Sequence, residues 1–200
     1  MRKIVIASNN AGKIKEIQNI LGNNKFEFLS LKEVGFYQDI LEDQDSFEGN
    51  AYKKAESVAR VVNEIVLADD SGLEVDILNG QPGVFSARFS GKNATDEKNN
   101  EKLLKMMKDV PEEKRGAQFR CVIVIILPNG KSFKAEGICR GKITDKPNGN
   151  KGFGYDPIFI PEGYNKTFGQ MEKDEKNRIS HRFLALQRLK EIMMGEGLLD

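Results

Sequence analysis

Hydrophobic and polar positions divide the chain into short, readable segments. Ile4-Val5-Ile6-Ala7 follows Arg2-Lys3 without alternation, which predicts a strand over residues 2–7 covered on both faces. The polar turn Ser8-Asn9-Asn10-Ala11-Gly12 comes next. Ile14, Ile17, Ile20 and Leu21 then recur at helical spacing until Gly22 stops the helix. Residues 42–48 are rich in acids and predict a loop ending in a helix cap at Ser46. Beyond it, Ala51, Ala55, Val58, Ala59 and Val62 mark one face of a second helix. Ile65-Val66-Leu67-Ala68 predicts a short buried strand running directly into Asp69-Asp70-Ser71-Gly72. After that, Leu73, Val75 and Ile77 alternate with polar residues as a half-solvated strand does.

Gly80, Pro82 and Gly83 predict a rigid turn. Thr95 predicts the cap of a helix that closes near Val110-Pro111, with Asp96 and Glu97 at the positive end of its dipole. Residues 117–127 and 132–139 flank Pro128-Asn129-Gly130-Lys131, and Asn-Gly between two strand-like runs signals a hairpin. Gly149 to Pro161 reads as a glycine-rich loop with a short Ile158-Phe159-Ile160 strand. A last helix spans about 180–194, apolar at Phe183, Leu184, Leu186, Leu189 and Ile192. This order predicts an α/β fold, a mixed sheet with helices packed on it and no linker or internal repeat.

Composition narrows the function. A chain of 200 residues buries roughly 70–75% of its unfolded surface, enough for a core without metal or disulfide. Lys and Arg number 31 against 30 acids, for a net charge of +1. Interleaved charges of this kind lack the basic excess of a protein held mainly by phosphate neutralisation, so no nucleic-acid partner is expected. The longest apolar run, Cys121 to Leu127, has strand length rather than membrane length. The N-terminus turns polar at Ser8, too soon for a signal peptide, and the expectation is a cytoplasmic protein. Cys121 and Cys139 lack CxxC spacing and read as buried reduced thiols. A single histidine, His181, excludes a multi-histidine metal site.

Four places carry residues that folding alone does not require. Lys13 stands in the first turn of a helix, where a cation is disfavoured unless an anion binds there; the alternative is a solvated lysine. The adjacent carboxylates of Asp69 and Asp70 repel each other unless a cation or proton intervenes, and on a strand they point to opposite sides. They read either as part of a Mg²⁺ site, with the acids around Glu42 supplying a second carboxylate, or as a turn. In Gly152-Phe153-Gly154-Tyr155-Asp156-Pro157 the aromatics either stack on a purine or fold back onto the core. Lys176, with Ser180-His181-Arg182, places donors at a helix start, where they read either as anion or base contacts or as ordinary surface and core residues. Together the four point to a nucleoside triphosphate.

These segments, in order, resemble the signature blocks of the inosine/xanthosine triphosphate pyrophosphatase family. The blocks are Ser8-Asn9-Asn10-Ala11-Gly12-Lys13 with Glu16, Ala68-Asp69-Asp70-Ser71-Gly72-Leu73, Phe153-Gly154-Tyr155-Asp156-Pro157 and Ser180-His181-Arg182. Gly80-Gln81-Pro82-Gly83 and Ser86-Ala87-Arg88 extend the likeness over nearly the whole chain. One departure is Gly49, where many relatives have glutamate, although Asn50 still matches. The resemblance implies a single two-lobed α/β domain over residues 1–200, built on an elongated, twisted mixed β-sheet flanked by helices, with the active site in the cleft between lobes. It also implies a homodimer and Mg²⁺-dependent hydrolysis of ITP, dITP and XTP to monophosphate and pyrophosphate.

Matched by position, the family's roles fall on particular residues. The turn Ser8, Asn9, Asn10, Ala11, Gly12 and Lys13 would bind substrate, Lys13 through phosphate. Asp70 would hold the metal and accept the proton from the attacking water, Glu42 would share the metal, and Ser71 would touch substrate. Phe153 would stack on the base, with Gly154 and Tyr155 beside it. Asp156, Lys176, His181 and Arg182 would contact base or phosphate. A donor-lined pocket pairs the C6 oxygen of inosine or xanthosine and is left unpaired by the amino group of adenine, a discrimination worth about 1–3 kcal/mol per buried donor. Three competing readings are a related pyrophosphatase for modified pyrimidines or methylated bases, a nucleotide sensor without hydrolysis, and an RNA-binding module, which the flat charge balance opposes.

Overall fold

The computed structural model describes residues 1–22 and 25–198. Among the described residues six strands form one sheet: β1 (Arg2–Ile6), β2 (Phe26–Ser30), β3 (Ile65–Val75), β4 (Gly116–Ile126), β5 (Ser132–Ile143) and β6 (Phe159–Pro161). Their order is β2-β1-β3-β4-β5-β6. The sheet is mixed: β1 runs parallel to β2 and β3, and β5 pairs antiparallel with β6. The α-helices among the described residues are α1 (Ala11–Leu21), α2 (Phe47–Ala59), α3 (Asp96–Met106), the short α4 (Lys173–Lys176) and α5 (His181–Gly195). The chain divides into two compact units. The first comprises Met1–Asp70, Cys121–Gly137 and Arg182–Asp200; the second comprises Ser71–Arg120 and Ile138–His181.

In the first unit the side chains of β1, β3 and β4 alternate between two apolar layers. Ile4, Ile6, Ile65, Leu67, Ile123 and Ile125 pack with Ile17 and Leu21 of α1 and with Leu186 and Leu189 of α5. Val5, Val66, Ala68, Val124 and Ile126 pack with Ala51, Ala55 and Val58 of α2. That is why the strands lack sequence alternation: helices cover both faces. Each fully buried aliphatic side chain of this kind contributes about 1.5–3 kcal/mol. The second unit has its own core, formed by Leu73 and Val75, Phe119, Leu103 of α3, Tyr155, Phe159 and Phe168.

Several expectations hold. Ser46 caps α2 by accepting from the Gly49 N–H, Thr95 caps α3 through the Lys98 N–H, and α1 ends at Leu21 before Gly22. The β4–β5 turn closes through Leu127 N–H to Lys131 O. Both cysteines are free and buried.

Others are corrected. Asp69-Asp70-Ser71-Gly72 is neither a turn nor the carboxyl end of a strand; it is the middle of β3, which runs unbroken for 11 residues. Turn-forming residue types yield here because both carboxylates find cations and the strand is covered. Ile77 lies beyond β3, at 42% exposure, in a single helical turn. α3 ends at Met106. In α5 Leu184 is exposed, while Ala185 and Met193 are buried beside Leu186 and Leu189. β2 has no counterpart in the pattern reading: only Phe26 of its five residues is buried.

Candidate functional site

Strand parity decides what Asp69 and Asp70 do. Asp69 continues the series Ile65, Leu67 toward α1 and α5. Its Oδ2 lies 3.2 Å from Lys13 Nζ and 3.2 Å from Arg182 Nη2. Arg182 also bonds Glu16 of α1, and its side chain is 1% exposed. The Cys121 Sγ approaches Asp69 Oδ2 to 4.0 Å. Burial works against the Asp69 carboxylate, but Lys13, Arg182 and Lys54 overcome it and hold its pKa well below the ordinary range. Burial, reinforced by the charge on Asp69, pushes the Cys121 thiol up to about 12, so it stays protonated.

Asp70 continues the series Val66, Ala68 toward α2. Its Oδ2 accepts from Asn50 Nδ2 at 3.1 Å, and its Oδ1 lies 3.4 Å from Lys54 Nζ. That ammonium also meets Glu42 Oε1 at 2.6 Å. Asn50 and Lys54 stand one turn apart on the inner stripe of α2, both buried. Burial raises the Asp70 pKa above the usual aspartate value, against the pull of Lys54 and Lys13. Burial disfavours the Lys54 charge, and Asp70, Asp69 and Glu42 outweigh it, so that its pKa rises. Two carboxylates thus share one cation, and one of them is a buried group whose proton affinity is elevated.

The turn before α1 is spent partly on itself. Asn10 accepts the Lys13 N–H through Oδ1 at 3.1 Å, and Ser8 Oγ accepts the Asn10 N–H at 3.1 Å. Asn9 and Ala11 are exposed and Gly12 half-buried. The amides of Ala11 and Gly12 open the helix, where an intrahelical carbonyl is not available to them. Ser71, half-buried, follows Asp70 in β3 and begins the second unit.

In the second unit the glycine-rich loop separates its two aromatics. Tyr155 is 3% exposed, and its hydroxyl donates to Ser86 O at 2.8 Å. Its side chain belongs to the core of the second unit. Phe153 is half-buried, with Lys176 Nζ 4.9 Å from its ring centroid. Asp156 ties the two together: its Oδ2 accepts the Phe153 N–H at 2.9 Å and Lys176 Nζ at 2.6 Å. Gly152 takes φ +78°, and a Cβ there would stand 1.9 Å from Asp156 Oδ2. Gly154 takes φ +63°, with its N–H and C=O held by Asp96 and Asn100.

His181 and Arg182 are corrected as well. The reading from the sequence has core packing explain neither. Here the imidazole stacks on Phe119 with centroids 4.7 Å apart at 11°, and the Arg182 guanidinium fills a buried site between two carboxylates. Sequence reasoning missed Lys54, Asp96 and Asn100 and gave Asn50 no role. The available signal for Lys54 was an ammonium set into the Ala51–Ala55–Val58 stripe; Asn100 had the weaker signal of a polar residue one turn after Asp96.

The Ham1 family profile matches residues 4–192. A dITP/XTP pyrophosphatase of Clostridium perfringens is 48% identical over 98% of both chains, and one of Bacillus subtilis is 45% identical over 96% of this chain and 98% of its own. Among solved structures, the Ham1 protein of Staphylococcus aureus superposes with a TM-score of 0.88 at 42% identity, covering 98% of this chain and all of that one. A HAM1 protein from Coxiella burnetii gives 0.89 at 38% identity over the same shares. The similarity runs through every segment that supplies Lys13, Glu42, Asp70, Phe153, Lys176 and Arg182, and on it the chain belongs to the Ham1 family.

Proposed function

We propose that this protein is a nucleoside triphosphate pyrophosphatase that hydrolyses ITP, dITP and XTP to the monophosphate and pyrophosphate, clearing them from the nucleotide pool. One observation carries the chemistry: Asp70 and Glu42 converge on a single ammonium, and Asp70 is a buried carboxylate with a raised pKa. Full-length relatives bearing the name dITP/XTP pyrophosphatase support the substrate class.

The donor set fits Mg²⁺. No cluster of three or more His, Cys, Asp or Glu able to hold a metal occurs among the described residues. Mg²⁺ uses one or two carboxylates and completes its shell with water and phosphate oxygens, which is what Glu42 and Asp70 offer. When bound, it neutralises charge developing on the phosphates. The chain's own groups do the rest. Lys13 and the opening amides of α1 bind phosphate. Asn50 orients the Asp70 carboxylate through Oδ2, and Asp70 accepts the proton of the attacking water. Lys54 keeps Glu42 and Asp70 together in the resting site. In the second unit Phe153 stacks on the base, with Lys176, Asp156 and His181 as its polar contacts. Arg182 supports from within, fixing Asp69 and through it Lys13. Ser71 touches substrate, and the working form is a homodimer.

The test is a panel of purine and pyrimidine triphosphates with Mg²⁺, assayed for pyrophosphate and orthophosphate. Pyrophosphate release favouring ITP and XTP over ATP is expected. Orthophosphate, or equal rates on all bases, would overturn the reading. Asp70→Asn is expected to lower kcat by roughly 10²–10⁴-fold while ITP still binds; a variant retaining a tenth of the activity removes Asp70 as the base.

A further inference from the structure

We propose that Asp96 and Asn100 of α3 are positioning residues that aim the Phe153 ring at the base; this rests on the reading of Phe153 given above. Phe153 sits on a loop between two glycines with positive φ, a backbone that left to itself samples many directions. Its orientation is set by the two peptide planes that flank it. On the N-terminal side, its own N–H donates to Asp156 Oδ2 at 2.9 Å. On the C-terminal side, the peptide that carries its carbonyl carries the Gly154 N–H, and that group donates to Asp96 Oδ2 at 2.6 Å. Asn100 Nδ2 then donates to the Gly154 C=O at 3.1 Å, fixing the next plane.

One helix face thus holds both backbone groups of Gly154, because Asp96 and Asn100 are spaced i, i+4. With both planes beside it anchored, Phe153 has its φ, ψ and Cα–Cβ direction fixed by hydrogen bonds. Sterics are not the reason for the clamp, since a Cβ on Gly154 would meet nothing within 4 Å. Folding is not a sufficient reason either. Asn100 is 6% exposed, and its Oδ1 is buried without a hydrogen-bond partner among the described residues. That unpaired oxygen is a cost to stability that an apolar residue would not carry. What the buried amide supplies is its grip on the loop.

A double-mutant cycle with Phe153→Ala tests this on ITP hydrolysis. Asp96→Ala and Asn100→Ala are each expected to raise the KM for ITP about tenfold, as loss of one base–aromatic stack does. The kcat should stay within about threefold and inhibition by inorganic pyrophosphate should be unchanged, because the phosphate-binding groups are untouched. In the Phe153→Ala background the same substitutions should have no further effect. Asp96→Asn, which keeps an acceptor oxygen, should recover most of the loss. Asp96 is on the surface, so its variants fold even where Asn100→Ala does not. Equal KM increases with and without the Phe153 ring overturn the clamp while leaving the stacking role intact. If Phe153→Ala itself leaves KM unchanged, the stacking role falls and the clamp falls with it.

Discussion

Arg182 and Asp69 show how completely surroundings can reassign a charged group. Arg182 opens a helix, where a cation is misplaced on dipole grounds. Burial adds to the cost, and the carboxylates of Asp69 and Glu16 outweigh both. Removing one partner of such a pair leaves an uncompensated buried charge, so Arg182→Ala is expected to cost about 3–5 kcal/mol in urea unfolding. A loss under 1 kcal/mol would show that the network is not structural. The same network sets an acid dependence. The folded pKa of Asp69 lies below its ordinary value of 3.8. The unfolded chain therefore binds the proton first, and this contribution to stability, full above about pH 4–5, drains away as the pH falls. The stability gap between wild type and Asp69→Asn should be widest near neutrality and shrink at low pH; a gap that is independent of pH between 7 and 3 contradicts this.

The loop around Phe153 and the inner face of α2 are where local geometry governs chemistry. Gly152 is required twice, by its φ of +78° and by the Asp156 carboxylate that occupies the space of its missing side chain. Gly152→Ala should push Asp156 away from both the Phe153 N–H and Lys176. The expected result is a KM for ITP raised by about tenfold or more, the size of a lost base stack, with pyrophosphate inhibition unchanged. Unchanged KM would mean that Asp156 does not support the base site. On α2, Asn50 and Lys54 interrupt an otherwise apolar stripe, which is why the helix orients the Asp70 carboxylate as well as covering the sheet.

For the molecule as a whole, stability comes from apolar layers and charge pairs. Cys121 and Cys139 are free, and burial pushes each thiol up to about 12. Dithiothreitol should leave the melting temperature unchanged, and EDTA should abolish turnover without lowering it by more than about 2 °C, since no group of three or more His, Cys, Asp or Glu able to hold a structural metal occurs among the described residues. A large drop with EDTA would mean that the metal is part of the core. No helix among the described residues is long and apolar enough to cross a membrane.

Much was legible in the chain because it depends on short-range physics. Apolar periodicity gave α1 and α2, Ser46 and Thr95 gave helix starts, and Asn129-Gly130 gave the hairpin. The motif positions also named most of the candidate site. Three things needed the tertiary structure. β2 is an edge strand with one buried residue, and only its register with β1 makes it a strand. Asp69 and Asp70 are turn-forming residues whose repulsion would break a strand. They stay in β3 because Lys13, Lys54 and Arg182, the last 113 residues away in sequence, bring compensating charge to opposite faces. The hold of α3 on Gly154 spans 54 and 58 residues and leaves no periodic trace. Local pattern is fixed by neighbours along the chain; charge compensation and backbone anchoring are fixed by neighbours in space.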